Sequence, residues 1–268
     1  MFSKKYNLLF IHIPKTAGSS ITNYMKTLND SFVNKYYQKQ MDLNFLQKTR
    51  NLNVLICDTY THIPLDDYRY ILTDTEYKNS IKFTVVRNPI SKLKSFYYFL
   101  KGHYWLSIDI GEMLPILKES IKKIIERGYS QDHTFKLDNN NKLIVDINDR
   151  KTKMLYLKKY KMLAIDNLLD TYGIMKQTSF FNFNKDKVYI LRFENLQNDL
   201  NNFTEKFSLP KHQLSVVNKS NAHTLSDKEF LRLLIKNHPK DTIQYVFDYY
   251  KDDFKLLNYN CPNGLFSN

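Results

Sequence analysis

Glycine is scarce in this 268-residue chain: there are six, beside seven prolines, two cysteines and one tryptophan. That excludes a collagen-like or linker-rich chain. Cys57 and Cys261 are too few for the disulfide framework of a small secreted fold, and a reducing compartment is the simpler expectation. Neither a CxxC pair nor an HExxH spacing occurs among the two cysteines and seven histidines, so no metal site is expected. Long apolar runs are also missing: none reaches the roughly 18 residues of a transmembrane helix. The N-terminal MFSKKYNLLFIHIPKTAGSS sets two lysines before an apolar stretch, but that stretch is short and runs into Pro14-Lys15-Thr16 instead of a small-residue cleavage site. It reads as a strand, and a cytoplasmic location is the expectation. Acidic residues are the last shortage, 27 against 40 basic ones, for a net charge of +13 and a pI near 9.4.

The charge needs a careful reading. Only seven of the 40 basic residues are arginine, and lysine, asparagine and tyrosine are all abundant, which is the bias an AT-rich genome leaves. What remains of the excess suits an anionic ligand. The basic residues are dispersed instead of blocked and no nucleic-acid motif is present, so nucleic acid is not the expected partner. Hydrophobic residues at 43% and charged residues at 25% are ordinary for a globular chain, and no repeat or linker divides it. A single domain over residues 1–268 is expected.

Leu8–Ile13, Val54–Cys57, Ile81–Arg87 and Val188–Arg192 are short apolar, β-branched or aromatic runs of strand length. Helical patterns lie between and after them: from Ser19, over Ile90–Lys101 with Pro89 suited to the first helical position, Gly111–Gly128, Lys151–Leu169, Asn195–Phe207, Ser226–Asn237 and Asp241–Leu257. Ser226 and Glu229 have capping-box spacing. Residues 130–148, with the polar turn Asp138–Asn141, read as irregular. Strands alternating with helices predict an α/β fold with a central parallel sheet flanked by helices. Ligands in such folds bind beyond the carboxyl ends of the strands.

Two strand ends carry chemistry. After the first, Pro14-Lys15-Thr16-Ala17-Gly18-Ser19-Ser20 leads into a helix, the layout of a phosphate-binding loop of the P-loop type. Lys15 supplies charge, Thr16, Ser19 and Ser20 supply hydroxyls, and Gly18 permits close backbone approach. The GxxxxGK[ST] pattern is not met, since no glycine precedes Lys15 in the loop, so a nucleoside triphosphate with magnesium is not the natural ligand. After the third strand, FTVVRNPISKLKSFYYF sets Arg87 before a helix whose Ser91 and Ser95 are i, i+4 neighbours. A guanidinium there can grip a phosphate in bidentate fashion. Two anion sites on neighbouring strands suit a nucleotide phosphorylated at both its 5′ and 3′ ends.

Together, HIPKTAGSS and VVRNPISKLKSFYYF resemble the two cofactor segments of the PAPS-dependent sulfotransferases, and the eight-residue step from Arg87 to Ser95 is similar to that family's spacing. The nearest flavour is the carbohydrate 2-O-sulfotransferase-like branch with its bacterial relatives. Tyr60–Leu65 (YTHIPL) resembles that branch's His-bearing loop, Arg192–Leu196 (RFENL) a later strand end, and Asn218–Asn221 with Phe247–Tyr259 its C-terminal loop and closing helix. The resemblance implies a P-loop-type sulfotransferase fold and sulfuryl transfer from PAPS to a hydroxyl acceptor, a glycan in that branch, with release of PAP and no metal. It implies Lys15 at the leaving oxygen and residues Thr16 to Ser20 around the 5′-phosphate. Arg87 and Ser95 would hold the 3′-phosphate with Ser91 as helper, Lys219 and Ser220 would sit in a closing loop, and His62 would be the base. Asp58 is the reserve base, and His12 is expected to be a packed, hydrogen-bonded strand residue. Residues 103–180 match no motif and are the expected acceptor-specificity region. A P-loop nucleotide or small-molecule kinase and a basic nucleic-acid-binding protein stay open as other readings, and the acceptor and the oligomeric state are not legible.

Overall fold

Leu8–Ile11 is fully buried and Ile81–Val86 nearly so, which is what a run apolar on both faces requires of central parallel strands. The computed structural model describes residues 1–28, 62, 64–70, 72–103, 109–127, 174–182, 187–215 and 225–262. Within them, β1 (Phe2–Ser3), β2 (Leu8–Ile11), β3 (Ile81–Val86) and β4 (Val188–Arg192) form a sheet in the order β1-β2-β3-β4. β1 is antiparallel to β2, while β2, β3 and β4 run parallel, with Phe10 opposite Phe83 and Val86 opposite Arg192. The three parallel strands therefore end on one side, at His12, Arg87 and Phe193.

Side chains alternate across the sheet. Leu8, Phe10, Phe83, Val85 and Leu191 face one core with α1 (Gly18–Thr27), to which Ile21, Tyr24 and Met25 belong. Leu9, Ile11 and Val86 face the other, where Leu65, Tyr68, Met175 and Phe180 cover them. The first helical turns continue the pattern: α2 (Asp74–Asn79) starts at a capping box of Thr73 and Glu76, and α3 (Pro89–His103) begins at the proline, with the Asn88 side chain accepting from the Ile90 and Ser91 N–H groups. α4 (Ile110–Arg127) packs with α3 and with the C-terminal helices α6 (Asp227–Asn237), α7 (Lys240–Tyr249) and α8 (Lys251–Leu256) in a third cluster built on Phe96, Leu114, Phe230, Val246 and Phe254. α5 (Leu196–Lys206) follows β4 and packs Leu200 and Phe203 on the first core. Within the described residues no helix is long and apolar enough to cross a membrane.

The α/β fold with a mostly parallel sheet is as expected. The single helix expected over 241–257 is instead two, broken at Tyr250. Neither glycine nor proline announces the break. Tertiary contacts make it: the Tyr250 hydroxyl donates to the Ile174 carbonyl at 2.6 Å, and Asp253 turns inward to accept from Gln177 and Thr178. The expected Val54–Cys57 strand and Lys151–Leu169 helix, the irregular stretch 130–148, and Asp58, Lys219 and Ser220 lie outside the described residues.

Candidate active site

Beyond β2 the chain turns from strand to α1 in six residues, and the backbone does so without upstream glycine. Lys15 and Ala17 both adopt positive φ, 67° and 74°, with Thr16 between them outside that region. Each such non-glycine residue costs roughly 1–2 kcal/mol. The alternation turns successive N–H groups to one side, the nest that accepts an anion at a helix start. Thr16 and Ser20 do not point hydroxyls into that nest: Thr16 Oγ1 donates to the Ile13 carbonyl at 2.8 Å and Ser20 Oγ to the Ser215 carbonyl at 3.1 Å. They lock the loop, while Ser19 lies exposed at the helix start.

Gly18 has a reason the sequence did not disclose. A Cβ there would fall within the His12 imidazole. His12 lies one residue past β2, stacked on Phe10 at 5.4 Å, with its ring centroid 4.2 Å from that of His62. It is packed as expected, but its buried Nδ1 has no hydrogen-bond partner among the described residues. Burial, and then His62, hold its pKa well below the ordinary 6.5. His62 Nδ1 lies 3.0 Å from the His12 carbonyl. A carbonyl only accepts, so Nδ1 carries the proton and the lone pair sits on Nε2. Burial lowers the His62 pKa to about 4; the bond to His12 opposes this, and Lys15 and Lys92 add to it.

We expect Gly18→Ala to lower stability by roughly 1–3 kcal/mol through overpacking, overriding the roughly 1 kcal/mol that alanine gains over glycine in a helix. Urea unfolding of Gly18→Ala in the wild-type and His12→Ala backgrounds measures this. Relief of the penalty once the ring is gone is the expected result, and an equal effect in both backgrounds discounts the steric account.

At the end of β3, Arg87 is held on several sides. Its Nε donates to Ser91 Oγ at 2.8 Å, its Nη1 to the Lys15 carbonyl at 3.2 Å, and its guanidinium lies 3.9 Å over the Phe193 ring. The bond to Lys15 ties the two strand-end segments together. Ser95 is half-buried one turn beyond Ser91. The Lys15 ammonium stands 4.0 Å over the Phe99 ring, and burial, then Arg87 and Lys92, lower its pKa to about 8. Lys92 is nearly fully buried and donates to the Met175 carbonyl at 3.1 Å; burial lowers its pKa to about 8. A lysine that two further cations, Arg87 and Lys92, repel, set in a nest of N–H groups, is a fitting cradle for a multiply charged anion. Among the described residues no group of three or more His, Cys, Asp or Glu is placed to hold a metal ion.

The sequence profile of the Sulfotransferase family matches residues 1–260. The chain belongs to the sulfotransferase family. It is therefore a PAPS-dependent transferase. Neither the curated proteins nor the solved structures contain a match to the chain.

Several residues of this sulfotransferase's site escaped the sequence reading. Phe193 and Glu194 belong to RFENL, and their work is now visible: Phe193 backs the Arg87 guanidinium, and Glu194 accepts from the Asn88 N–H and the Tyr259 hydroxyl. Lys92 and Phe99 lie in the second segment, where spacing had singled out only Arg87 and the serines. Gln177 had no local signal at all, and Asp253 lies in Phe247–Tyr259, a segment noted for its resemblance but not for this residue. A groove of about 330 Å³ is lined by Pro64, Asp66, Thr178, Ser179 and Asn182, and neither Lys15 nor Arg87 borders it.

Proposed function

We propose that the sulfotransferase moves the sulfuryl group of PAPS to a hydroxyl of a carbohydrate and releases PAP. The observation that carries the reading is the Arg87–Lys15 contact, 3.2 Å, which couples a cationic nest to a second phosphate-binding strand end. The carbohydrate acceptor rests on the likeness of Tyr60–Leu65 to the His-bearing loop of the 2-O-sulfotransferase-like branch.

PAPS, when bound, supplies an electrophilic SO₃ group and a bisphosphate leaving group. Positioning and charge stabilisation then do most of the work. Residues 16–20 would hold the 5′-phosphate, with the Ser20 N–H itself committed to the Ala17 carbonyl at 3.0 Å, and the Lys15 ammonium would leave Phe99 to meet the charge on the leaving oxygen. Arg87 and Ser95, with Ser91 orienting the guanidinium, hold the 3′-phosphate. By the resemblance of Asn218–Asn221 to a closing loop, Lys219 and Ser220 would contact the nucleotide. His62 Nε2 takes the acceptor's proton.

The test is a sulfate-transfer screen with PAPS over glycans and small alcohols, read by PAP release. We expect transfer to at least one glycan hydroxyl, with no requirement for added metal. Transfer only to small alcohols overturns the carbohydrate acceptor. Thermal stabilisation by ATP with Mg²⁺ but not by PAP overturns the reading as a whole.

A further inference from the structure

We propose that Gln177 is a positioning residue for the donor's 3′-phosphate, holding Arg87 from behind through its backbone. The proposal rests on Arg87 being the 3′-phosphate arginine. Arg87 is the first residue past β3, where the paired register has ended at Val86 opposite Arg192. Its peptide N–H and C=O need other partners there. The Gln177 side chain supplies both: Oε1 accepts from the Arg87 N–H at 2.8 Å, and Nε2 donates to the Arg87 carbonyl at 2.7 Å. A primary amide is the neutral side-chain group that offers a donor and an acceptor in one plane, so it substitutes for a missing strand. Gln177 is fully buried and opens a short 3₁₀ turn, Gln177–Ser179.

That turn is fastened in its own right. The fully buried Asp253 carboxylate on α8 accepts from the Gln177 N–H at 2.8 Å, the Thr178 N–H at 3.0 Å and the Thr178 hydroxyl at 2.9 Å. Lys92, on the helix that Arg87 precedes, donates to the Met175 carbonyl and supplies a favourable charge to Asp253. A chain of contacts thus runs from the C-terminal helix through a 3₁₀ turn to the peptide of Arg87. The other holds on Arg87, from Ser91, the Lys15 carbonyl and Phe193, act on the guanidinium. Among the described residues Gln177 alone grips the peptide on both sides, and it does not occupy the guanidinium's N–H groups. A donor array fixed before binding loses less entropy on capture.

The experiment compares dissociation constants for PAP and for adenosine 5′-monophosphate, which lacks the 3′-phosphate, in wild type, Arg87→Ala, Gln177→Ala and Gln177→Glu. Thermal melting checks folding. Gln177→Glu keeps the shape and the acceptor but sets a carboxylate oxygen against the Arg87 carbonyl. In wild type we expect a preference for PAP of about 10- to 100-fold, the range of charge-assisted bonds to a phosphate. Arg87→Ala should abolish it. Both Gln177 variants should cut the preference at least about fivefold, with affinity for the monophosphate nearly unchanged, since loss of local structure alone weakens both ligands together. Folded Gln177→Glu with the wild-type preference overturns the positioning role, whether or not Gln177→Ala folds. Equal affinity of wild type for both nucleotides instead overturns the assignment of Arg87, a separate failure.

Discussion

His62→Ala should lower turnover by roughly 10²–10⁴ while affinity for PAP stays nearly unchanged. The tautomer carries the argument. With Nδ1–H committed to the His12 carbonyl at 3.0 Å, Nε2 keeps its lone pair, the state a general base needs. The pKa near 4, lowered by burial and by Lys15 and Lys92, keeps the ring neutral at pH 7. It also makes the resting imidazole a weak base. An anion beside Lys15 cancels part of that repulsion, so donor binding should raise the pKa. The acidic limb of kcat/KM then reports the free enzyme near pH 4, and the limb of kcat lies at higher pH. Stability has its own sign. A histidine whose folded pKa is depressed supports the native state above its ordinary 6.5, and that support is lost as pH falls toward 4. His62→Ala should therefore flatten the acid loss of stability in that window, measured by urea unfolding at several pH values. A folded His62→Ala enzyme with wild-type single-turnover rate sinks the base assignment and redirects attention to Asp58 or His12.

What was legible in the sequence was local. Val188–Arg192 is observed with the bounds read from its β-branched and apolar run, and the Ser226–Glu229 capping box is formed. Pro89 starts its helix because its fixed φ suits that position and its missing N–H has no partner to lose there. Lys15, Arg87 and Ser91 stood out because charge, a strand end and a helix start coincide in the sequence around them, and His62 because Tyr60–Leu65 resembles a His-bearing loop. The illegible part depends on groups distant in the chain. Nothing near Gln177 announces a clamp on Arg87, 90 residues away, nor Asp253 a brace for Gln177, 76 residues away. Gly18 read as room for a ligand, yet it is room for His12, a contact between the two ends of one loop. The absence of upstream glycine argued against a triphosphate loop, but the backbone reaches left-handed conformations anyway, at Lys15 and Ala17. Arg87 Nη1 on the Lys15 carbonyl and Thr16 Oγ1 on that of Ile13 brace those residues.

Lys15→Ala should depress turnover by roughly 10²–10³, the cost of removing one donor aimed at a developing negative charge. Unlike His62→Ala it should also weaken PAP, by about one decade, because the 5′-phosphate is already anionic in the ground state. The fold should tolerate the change. The ammonium's described contact is with the Phe99 ring at 4.0 Å, and such contacts are worth roughly 0.5–2 kcal/mol. A third effect separates charge from packing. Lys15 helps to hold the His62 pKa down, so its removal should shift the acidic limb of kcat/KM toward higher pH. Lys15→Arg keeps the charge and should leave that limb in place. It should recover little turnover, because a planar fork does not match a compact ammonium that must move from Phe99 to the leaving oxygen. Single-turnover rates at saturating PAPS decide the matter. A Lys15→Ala enzyme that binds PAP weakly yet transfers at the wild-type rate once saturated has lost only uniform binding, and the leaving-oxygen role of Lys15 falls with that result.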